Sequence, residues 1–345
     1  MVAAAASATV LDDLSAQHWS HQSTALLDVS TVPSPVCFGE LISRLDAGAA
    51  HLGAAGVGSE SPVLDFVDEG VPMVLAILCI LKSGGVCVPA DPAAPSLRLL
   101  ALLDDVDACV ALCLGASMTS LRSRGWRYGP PSPQLLSIDA ITGPAAPSPS
   151  PQLPQPTARC LCHLIYTSGS TGRPKAVAVE HGALRAYAQE RIRAHGIEPR
   201  SRLLLTSAHT WDPCIGDVAY ALTAGATVCL APRAEILHDL GRVLAAAEAT
   251  HVGATPSLWA MLELAPSALP ALRVVALGGE PMPLSLAQPW VRAAPSLALL
   301  NTYGVTEACV FQTAGRVASL ESAGWVGGAP AAGGPLPTVR LGLLP

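Results

Sequence analysis

The sequence contains few lysines, few aromatic residues and few charged residues. Only Lys82 and Lys175 are lysines among its 20 basic residues, aromatic residues make up 4% of the chain, and charged residues make up 13%. The longest apolar run, residues 71–81, includes Pro72 and is much shorter than the roughly 20 residues that a membrane-spanning helix needs. We therefore expect no membrane partner.

Basic clusters are also missing, and the cysteines follow no metal-binding spacing. The net charge of −6 argues against nucleic acid as a partner. The N-terminus lacks the basic segment and the long apolar segment of a signal peptide. The ten cysteines match neither a CxxC motif nor a zinc pattern, and many lie inside apolar runs. These features favour buried thiols in a reducing, cytoplasmic compartment.

Strand-like and helical segments alternate along most of the chain. Helical spacing at residues 37–57 is followed by the strand-like "PVLDFV", an apolar helix that stops at Gly84, the strand-like "VCVPAD", and a further helix and strand. After residue 200, "SRLLLTSAHTW", "ATVCLAP", "HVGATPS", "LRVVALGG" and "LALLNTYG" are all strand-like. This alternation predicts an α/β fold with largely parallel strands.

A proline-rich stretch interrupts the alternation. Residues 129–157 include nine prolines. We expect them to form a surface linker or insertion without a helix or a central strand. The linker would separate a first α/β lobe at residues 1–128 from a second at residues 158–325.

The segment "YTSGSTGRPK", from Tyr166 to Lys175, combines four serine and threonine hydroxyl groups with two glycines and one lysine. A strand leads into it, and the glycines permit a tight turn with close backbone approach. Hydroxyl and N–H groups can surround an anion, to which Lys175 adds a compact positive charge. The spacing is not that of a Walker loop. The pattern indicates a polyphosphate-binding loop, and a glycine-serine surface turn is the alternative.

Five segments match known motifs in their known order. "YTSGSTGRPK" resembles the phosphate loop of the adenylate-forming superfamily, with Ala176 where glycine is usual. "FGELISRLDAGAAHLGAAGVG", "LKSGGVCVPADPAAPSLRL" and "HTWDPCIGDV" are similar to motifs of adenylation domains from nonribosomal peptide synthetases. "NTYGVTEACV" resembles their NxYGPTE motif, with Val305 in place of proline.

The resemblance implies a particular fold and a missing part. The fold is that of the large N-terminal domain of adenylate-forming enzymes, two packed, largely parallel sheets with flanking helices. Residues 158–325 would carry the ATP and substrate sites, and residues 326–345 resemble the start of a small barrel. The C-terminal lobe and its main catalytic lysine lie beyond this sequence, so we expect reduced activity from the chain alone.

The resemblance also implies an ATP and Mg²⁺ site. Tyr303 offers a flat face to adenine, Thr306 a hydroxyl to the α-phosphate, and Glu307 a hard oxygen ligand to Mg²⁺. Lys175, Thr306 and Glu307 are the implied catalytic residues. The implied ATP-binding residues are Thr167, Ser168, Gly169, Ser170, Thr171, Gly172, Lys175, Gly278, Gly279, Glu280, Asn301, Tyr303, Gly304 and Thr306.

The implied substrate site centres on Asp212. In the peptide-synthetase branch an aspartate here pairs with the α-ammonium group of an amino acid, and a buried carboxylate needs such a partner. The alternative is a helix cap, since Pro213 suits a first helical turn. The implied substrate-binding residues are Trp211, Asp212, Pro213, Gly216, Gly253, Ala276, Gly278, Thr302, Val310 and Phe311. Most are small or apolar, which favours a neutral substrate, and Asp followed by Pro is similar to enzymes that activate β-alanine or 2-aminoadipate.

The implied function is AMP-forming activation of an amino acid. Amino acid and ATP would give aminoacyl-AMP and pyrophosphate, for transfer to the phosphopantetheine thiol of a carrier-protein domain in a longer parent protein. Two alternatives remain open at this point. One is an acyl- or aryl-CoA ligase of the same superfamily, and the other is a non-catalytic nucleotide-binding remnant.

Overall fold

The computed structural model describes most of the chain, which folds into two compact units. The described residues are 8–15, 20–30, 33–123, 133–143, 153, 155–167, 174–293, 296–317, 325–326, 329–330 and 334–336. Unit 1 comprises residues 1–23, 36–185 and 208–215, and unit 2 comprises residues 24–35, 186–207 and 216–345.

The described part of the chain contains strands and helices in alternation. The strands are β1 (Thr24–Asp28), β2 (Ser34–Cys37), β3 (Pro62–Asp65), β4 (Val86–Pro89), β5 (Val110–Cys113), β6 (Gln134–Ser137), β7 (Leu161–Thr167), β8 (Lys175–Glu180), β9 (Arg202–Leu204), β10 (Thr227–Leu230), β11 (His251–Ala254), β12 (Val274–Gly278), β13 (Ala298–Tyr303), β14 (Thr313–Arg316), β15 (Trp325–Val326), β16 (Ala329–Pro330) and β17 (Gly334–Pro335). The α-helices are α1 (Val10–Ser15), α2 (Phe38–Ala54), α3 (Gly70–Lys82), α4 (Ser96–Asp105), α5 (Met118–Ser123), α6 (Ile138–Thr142), α7 (His181–His195), α8 (Asp212–Thr223), α9 (Arg233–His238), α10 (Leu240–Ala246), α11 (Pro256–Ala260) and α12 (Leu284–Ala293).

Unit 1 is built on a six-stranded sheet in the order β6-β5-β3-β4-β7-β8. Its strands run parallel except for β7 and β8, which pair as an antiparallel hairpin. Helix α3 is apolar on all sides and buries every residue from Met73 to Leu81. Helix α2 approaches it closely, because a Cβ atom at Gly48 would lie 2.4 Å from the Cys79 sulfur. Lys82 pairs with Asp46 at 2.7 Å, so one of the two lysines already has a partner between these helices.

Unit 2 is built on a larger sheet in the order β17-β14-β13-β12-β11-β9-β10-β1, with β2 following β1. The strands from β13 to β1 are parallel, whereas β14 runs antiparallel to β13. Helices α9 to α12 contribute to one hydrophobic cluster against this sheet, in which the rings of Trp259 and Trp290 lie 4.7 Å apart. The carboxyl ends of β11, β12 and β13 therefore lie side by side.

The predicted fold class is confirmed. The chain is α/β with two mostly parallel sheets, and the helices at 37–57 and 71–83 and the five strands after residue 200 all form. The lobe boundary differs from the prediction, because residues 158–185 belong to unit 1. No helix within the described residues is long and apolar enough to cross a membrane.

The prediction that the proline-rich stretch forms no helix is wrong for residues 138–142, and an edge strand, though not a central one, forms at residues 134–137. Strand β6 adds to the edge of the unit 1 sheet, parallel to β5, and helix α6 follows it directly. The physical reason is the apolar content between the prolines, since Leu135, Ile138 and Ile141 are all buried. An edge strand also tolerates neighbouring prolines that a central strand would not.

The cysteines behave largely as the sequence predicts. Seven of the ten are buried, Cys37 and Cys160 are partly buried, and Cys109 is exposed. Burial raises the pKa of Cys113 and Cys229 to about 11, which keeps these thiols protonated.

Asp65 is a buried carboxyl group that makes the stability of the protein depend on pH. It lies at the end of β3, is fully buried, and accepts a hydrogen bond from the Val67 N–H at 3.0 Å. Burial raises its pKa from 3.8 to about 7. The folded state thus holds the proton to higher pH than the unfolded state, so this group lowers stability as pH rises from about 4 to about 7.

We expect Asp65→Asn to remove that contribution. Asparagine cannot ionise, yet it keeps an acceptor for the Val67 N–H. Relative to the parent protein, the variant should gain about 2.5 kcal/mol in unfolding free energy between pH 5 and pH 8. Urea denaturation at the two pH values measures this, with exposed Asp107→Asn as the control. An equal effect of Asp65→Asn at both pH values would contradict the assignment.

Candidate active site

The two ends of the predicted phosphate loop lie opposite each other at the tip of the β7–β8 hairpin in unit 1. Thr167 ends β7 and Lys175 begins β8, and the two residues are cross-strand partners. The Thr167 hydroxyl donates to the Lys175 carbonyl oxygen at 3.5 Å, and the Lys175 side chain is exposed. Ser168, Gly169, Ser170, Thr171 and Gly172 lie outside the described residues. A hairpin thus delivers the loop, with Lys175 at its base.

Tyr166 anchors the strand that leads into this loop. Its hydroxyl group donates to Asp105 Oδ2 at 2.6 Å. Burial and this hydrogen bond raise the pKa of Tyr166, so its phenol stays protonated. The end of β7 is consequently fixed to the end of helix α4.

Asp212 is the first residue of helix α8 and is buried. The segment before it is held within unit 1 by His209, whose Nε2 lies 3.2 Å from the Ala90 carbonyl oxygen just after β4. Burial lowers the pKa of His209, so it is neutral and can donate through this nitrogen. Trp211, by contrast, is 46% exposed. A carboxylate at a helix N-terminus is favoured by the helix dipole, so the geometry accommodates both the substrate-binding and the capping role.

In unit 2, the NTYGVTE segment forms the end of β13 and the turn into β14. Asn301 and Thr302 are buried on β13, and the Thr302 hydroxyl donates to the Leu277 carbonyl oxygen at 3.1 Å. Tyr303, the last residue of β13, is 59% exposed. Thr306 and Glu307 lie in the 3-10 turn Thr306–Ala308. The segment thus presents an aromatic face, a hydroxyl group and a carboxylate next to one another.

The turn that carries these groups is tight. A Cβ atom at Gly304 would lie 2.0 Å from the Val310 carbonyl oxygen, so only glycine fits there. Cys309 and Val310 both have positive φ angles, 67° and 65°. Such angles are rare for any residue except glycine, and for a β-branched valine they store strain.

Several predicted substrate residues are neighbours at the ends of the central strands of unit 2. Gly253 on β11 pairs with Ala276 on β12, and Gly278 on β12 pairs with Thr302 on β13. A Cβ atom at Gly278 would lie 2.3 Å from the Thr302 hydroxyl oxygen and 2.9 Å from the Phe311 ring. Close packing of Thr302 and Phe311 over Gly278 therefore requires glycine at this position.

Two further predicted site residues, Gly279 and Glu280, directly follow β12. Gly279 has a φ of 83°, a conformation that favours glycine. Glu280 accepts hydrogen bonds from the Ser257 backbone N–H at 3.1 Å and from the Ser257 hydroxyl group. Glu280 thus ties the end of β12 to helix α11.

Two charged residues near these positions were missed by sequence reasoning. A Cβ atom at Gly253 would lie 3.4 Å from a carboxyl oxygen of Asp217. Burial raises the pKa of Asp217 to about 7, although Arg191 and a hydrogen bond from Tyr220 oppose the shift. The Arg191 guanidinium group is buried and lies 5.1 Å from the centroid of the Phe311 ring. Ionisable side chains therefore lie next to Gly253 and Phe311.

The space beside Gly216 is also occupied. A Cβ atom there would lie 2.8 Å from the ring of Tyr187 and 3.2 Å from Val310. Glycine at 216 thus makes room for Tyr187 instead of deepening the site. The sequence signal for Asp217 is a second aspartate in a helix that is otherwise largely apolar after Asp212.

The side chains of this site fit a magnesium ion that is bound mainly by the phosphates of a nucleotide. Within the described residues, no cluster of three or more histidine, cysteine, aspartate or glutamate side chains could hold a metal. Glu307 is exposed and offers one carboxylate. Mg²⁺ is commonly held by one or two carboxylates together with phosphate oxygens, so Glu307 suits an ion shared with a triphosphate.

Solved structures of adenylation domains have the same fold as this chain. The α-methyl-L-serine-AMP-bound form of the nonribosomal peptide synthetase FmoA3 superposes with a TM-score of 0.82 at 23% identity, covering 96% of this chain and 36% of that one. The N-terminal subdomain of Klebsiella oxytoca NpsA, in complex with 3-hydroxybenzoyl-AMSN, superposes with a TM-score of 0.78 at 20% identity, covering 95% of this chain and 79% of that one. The fold is that of the N-terminal domain of adenylate-forming enzymes.

Sequence comparison identifies the family. The model of the AMP-binding enzyme family matches residues 15–344. Nonribosomal peptide synthetase 8 of Aspergillus fumigatus is 34% identical over 278 residues, 79% of this chain, and tyrocidine synthase 3 of Brevibacillus parabrevis is 33% identical over 310 residues, 88% of this chain. The chain spans 3% and 5% of the lengths of these two relatives. It belongs to the AMP-binding enzyme family, and these relatives of similar sequence are nonribosomal peptide synthetases.

Proposed function

We propose that this domain activates an amino acid with ATP. In this reaction a carboxylate oxygen of the amino acid attacks the α-phosphorus of ATP. The new phosphorus–oxygen bond gives aminoacyl-AMP, and the bond to pyrophosphate breaks. The observation that carries the proposal is the arrangement in unit 2. Exposed Tyr303 and Glu307 and partly buried Thr306 follow the end of β13, beside Ala276 and Gly278 on β12, and Gly253 lies on the next strand, β11.

Each group has a role that its chemistry allows. The exposed ring of Tyr303 would stack on adenine, and the Thr306 hydroxyl would donate to an α-phosphate oxygen. Glu307 would hold the Mg²⁺ ion, which lowers the negative charge that the triphosphate presents to the attacking carboxylate. Lys175 and the loop after Thr167 would bind the outgoing phosphates. Asp212 would pair with the α-ammonium group.

The acceptor would be the phosphopantetheine thiol of a carrier protein. Aminoacyl-AMP is a reactive mixed anhydride that a thiol can attack at the carbonyl carbon, with AMP as the leaving group. An artificially fused adenylation–PCP di-domain of NpsA, with 21% identity and a TM-score of 0.81, shares this fold. Its pairing with a carrier domain supports the same class of partner here.

Binding of non-hydrolysable aminoacyl-adenylate analogues tests the proposal without requiring turnover. Calorimetry with aminoacyl-sulfamoyl adenosines, including those of β-alanine and 2-aminoadipate, should find at least one that binds in the micromolar range. It should bind at least about 10-fold more tightly than adenosine sulfamate alone, because the aminoacyl group adds an ion pair. Amino-acid-dependent exchange of labelled pyrophosphate into ATP then measures the reaction. If no analogue binds more tightly than adenosine sulfamate, amino-acid activation is excluded.

A further inference from the structure

The side chain of Gln312 joins both ends of the segment that carries Thr306 and Glu307. It directly precedes strand β14 and is 5% exposed. Its Oε1 accepts from the Val305 backbone N–H at 2.8 Å. Its Nε2 donates to the Ala308 carbonyl oxygen at 2.9 Å and lies 3.5 Å from the Val305 carbonyl oxygen. One buried amide thus satisfies backbone groups at the first and last residues of the four-residue segment 305–308.

Val305 explains why such a contact is needed. Position 305 departs from the NxYGPTE pattern, in which proline stands there. Proline has no backbone N–H group and fixes its own φ near −65°. Valine has an N–H group and leaves φ free. Val305 has a φ of −130°, outside the range of proline, and its N–H needs an acceptor. The Gln312 Oε1 atom supplies that acceptor.

The backbone between Ala308 and Gln312 folds back sharply to make this possible. The left-handed residues Cys309 and Val310 reverse the chain, and the Gln312 backbone N–H then donates to the Tyr303 carbonyl oxygen at 2.9 Å. Strained φ angles persist only where surrounding contacts hold them. Gln312 makes several of those contacts, through side-chain hydrogen bonds to Val305 and Ala308 and through its backbone N–H group to Tyr303.

We propose that Gln312 is a positioning residue that holds Thr306 and Glu307 toward the α-phosphate and Mg²⁺. This inference rests on the proposed function of those two side chains. Gln312 touches neither ATP nor the amino acid in this role. It replaces, by side-chain hydrogen bonds, the backbone restraint that proline would otherwise provide at position 305.

Binding measurements on Gln312→Met test the role separately from turnover. Methionine keeps the length and volume of the side chain but cannot make either hydrogen bond. We expect the Kd for ATP·Mg²⁺ to rise about 10-fold, which corresponds to a loss of roughly 1.4 kcal/mol of binding free energy. The Kd for adenosine, which would use Tyr303 stacking, should stay within about 2-fold, because a local positioning defect leaves that contact in place. The exposed Gln134→Met is the matched control and should change neither value.

A double-mutant cycle checks the contact itself. Val305→Pro removes the N–H group that donates to the Gln312 Oε1 atom, and it also forces φ away from −130°. That backbone strain is the same in both backgrounds and cancels in the cycle, so Val305→Pro should weaken ATP·Mg²⁺ binding clearly less in the Gln312→Met background than in the parent. Additive effects, or an unchanged Kd in Gln312→Met, would overturn the inference. Equal weakening of ATP·Mg²⁺ and adenosine would also overturn it, because it indicates a merely structural role. If the parent protein itself binds no ATP·Mg²⁺, the proposed function fails instead.

Discussion

Asp212→Ala should lower kcat/KM for amino-acid-dependent pyrophosphate exchange by roughly 100- to 5,000-fold. Asp212 is buried at the start of α8, and in the proposed complex it faces the α-ammonium group of the substrate. Removing one partner of a buried charge pair leaves the other uncompensated, which costs about 3–5 kcal/mol. Binding of ATP·Mg²⁺, measured by calorimetry, should be unchanged because Asp212 has no role toward the nucleotide.

Asp212→Asn separates the two roles that Asp212 can play. Asparagine caps a helix about as well as aspartate does, so a purely capping role predicts near-normal activity and stability. A substrate-binding role predicts that Asp212→Asn folds normally but loses activity almost as severely as Asp212→Ala, since the charge is gone. Near-normal exchange by the asparagine variant would therefore rule out recognition of the ammonium group.

The sequence predicted the strands and long helices correctly because their apolar residues are the ones that the fold buries. Helix α3 is apolar from Val71 to Leu81, and the segments that form β11, β12 and β13 are short apolar runs that end in small or polar residues. The proline-rich range misled the prediction because proline content outweighed the few apolar residues between the prolines. Leu135, Ile138 and Ile141 bury enough surface to hold β6 and α6 against the sheet.

The sequence predicted only those site residues that lie inside a recognisable short motif. Tyr303, Thr306 and Glu307 lie within one five-residue stretch, so a short motif reveals them. Asp217 and Arg191 lie on different helices, and only folding places them next to Gly253 and Phe311. The role of Gln312 was equally hidden, because it depends on a turn geometry with two left-handed residues that no local propensity favours. Sequence motifs do not show which residues, distant along the chain, the fold brings together.

Gly304→Ala should weaken ATP·Mg²⁺ binding by roughly 100-fold or more. The added Cβ atom would lie 2.0 Å from the Val310 carbonyl oxygen and 2.5 Å from the Phe311 Cα atom. Both are backbone atoms, so the whole turn must move and cannot relieve the clash by rotating a side chain. Displacement of the turn would shift Tyr303, Thr306 and Glu307 together, so stacking, phosphate binding and Mg²⁺ binding would all weaken. Calorimetric titration with ATP·Mg²⁺ measures the loss.

The matched control is Gly58→Ala, because a Cβ atom there would meet only the Ser61 hydroxyl oxygen at 3.8 Å. Its unfolding free energy and its affinity for ATP·Mg²⁺ should stay close to those of the parent, within about 0.5 kcal/mol. Gly304→Ala should remain folded, since overpacking of this kind costs about 1–3 kcal/mol. Near-UV circular dichroism confirms that point before the titration. Parent-like affinity in a folded Gly304→Ala protein would place the nucleotide away from the β13–β14 turn, because no arrangement of this backbone accepts the extra atom without moving Thr306 and Glu307.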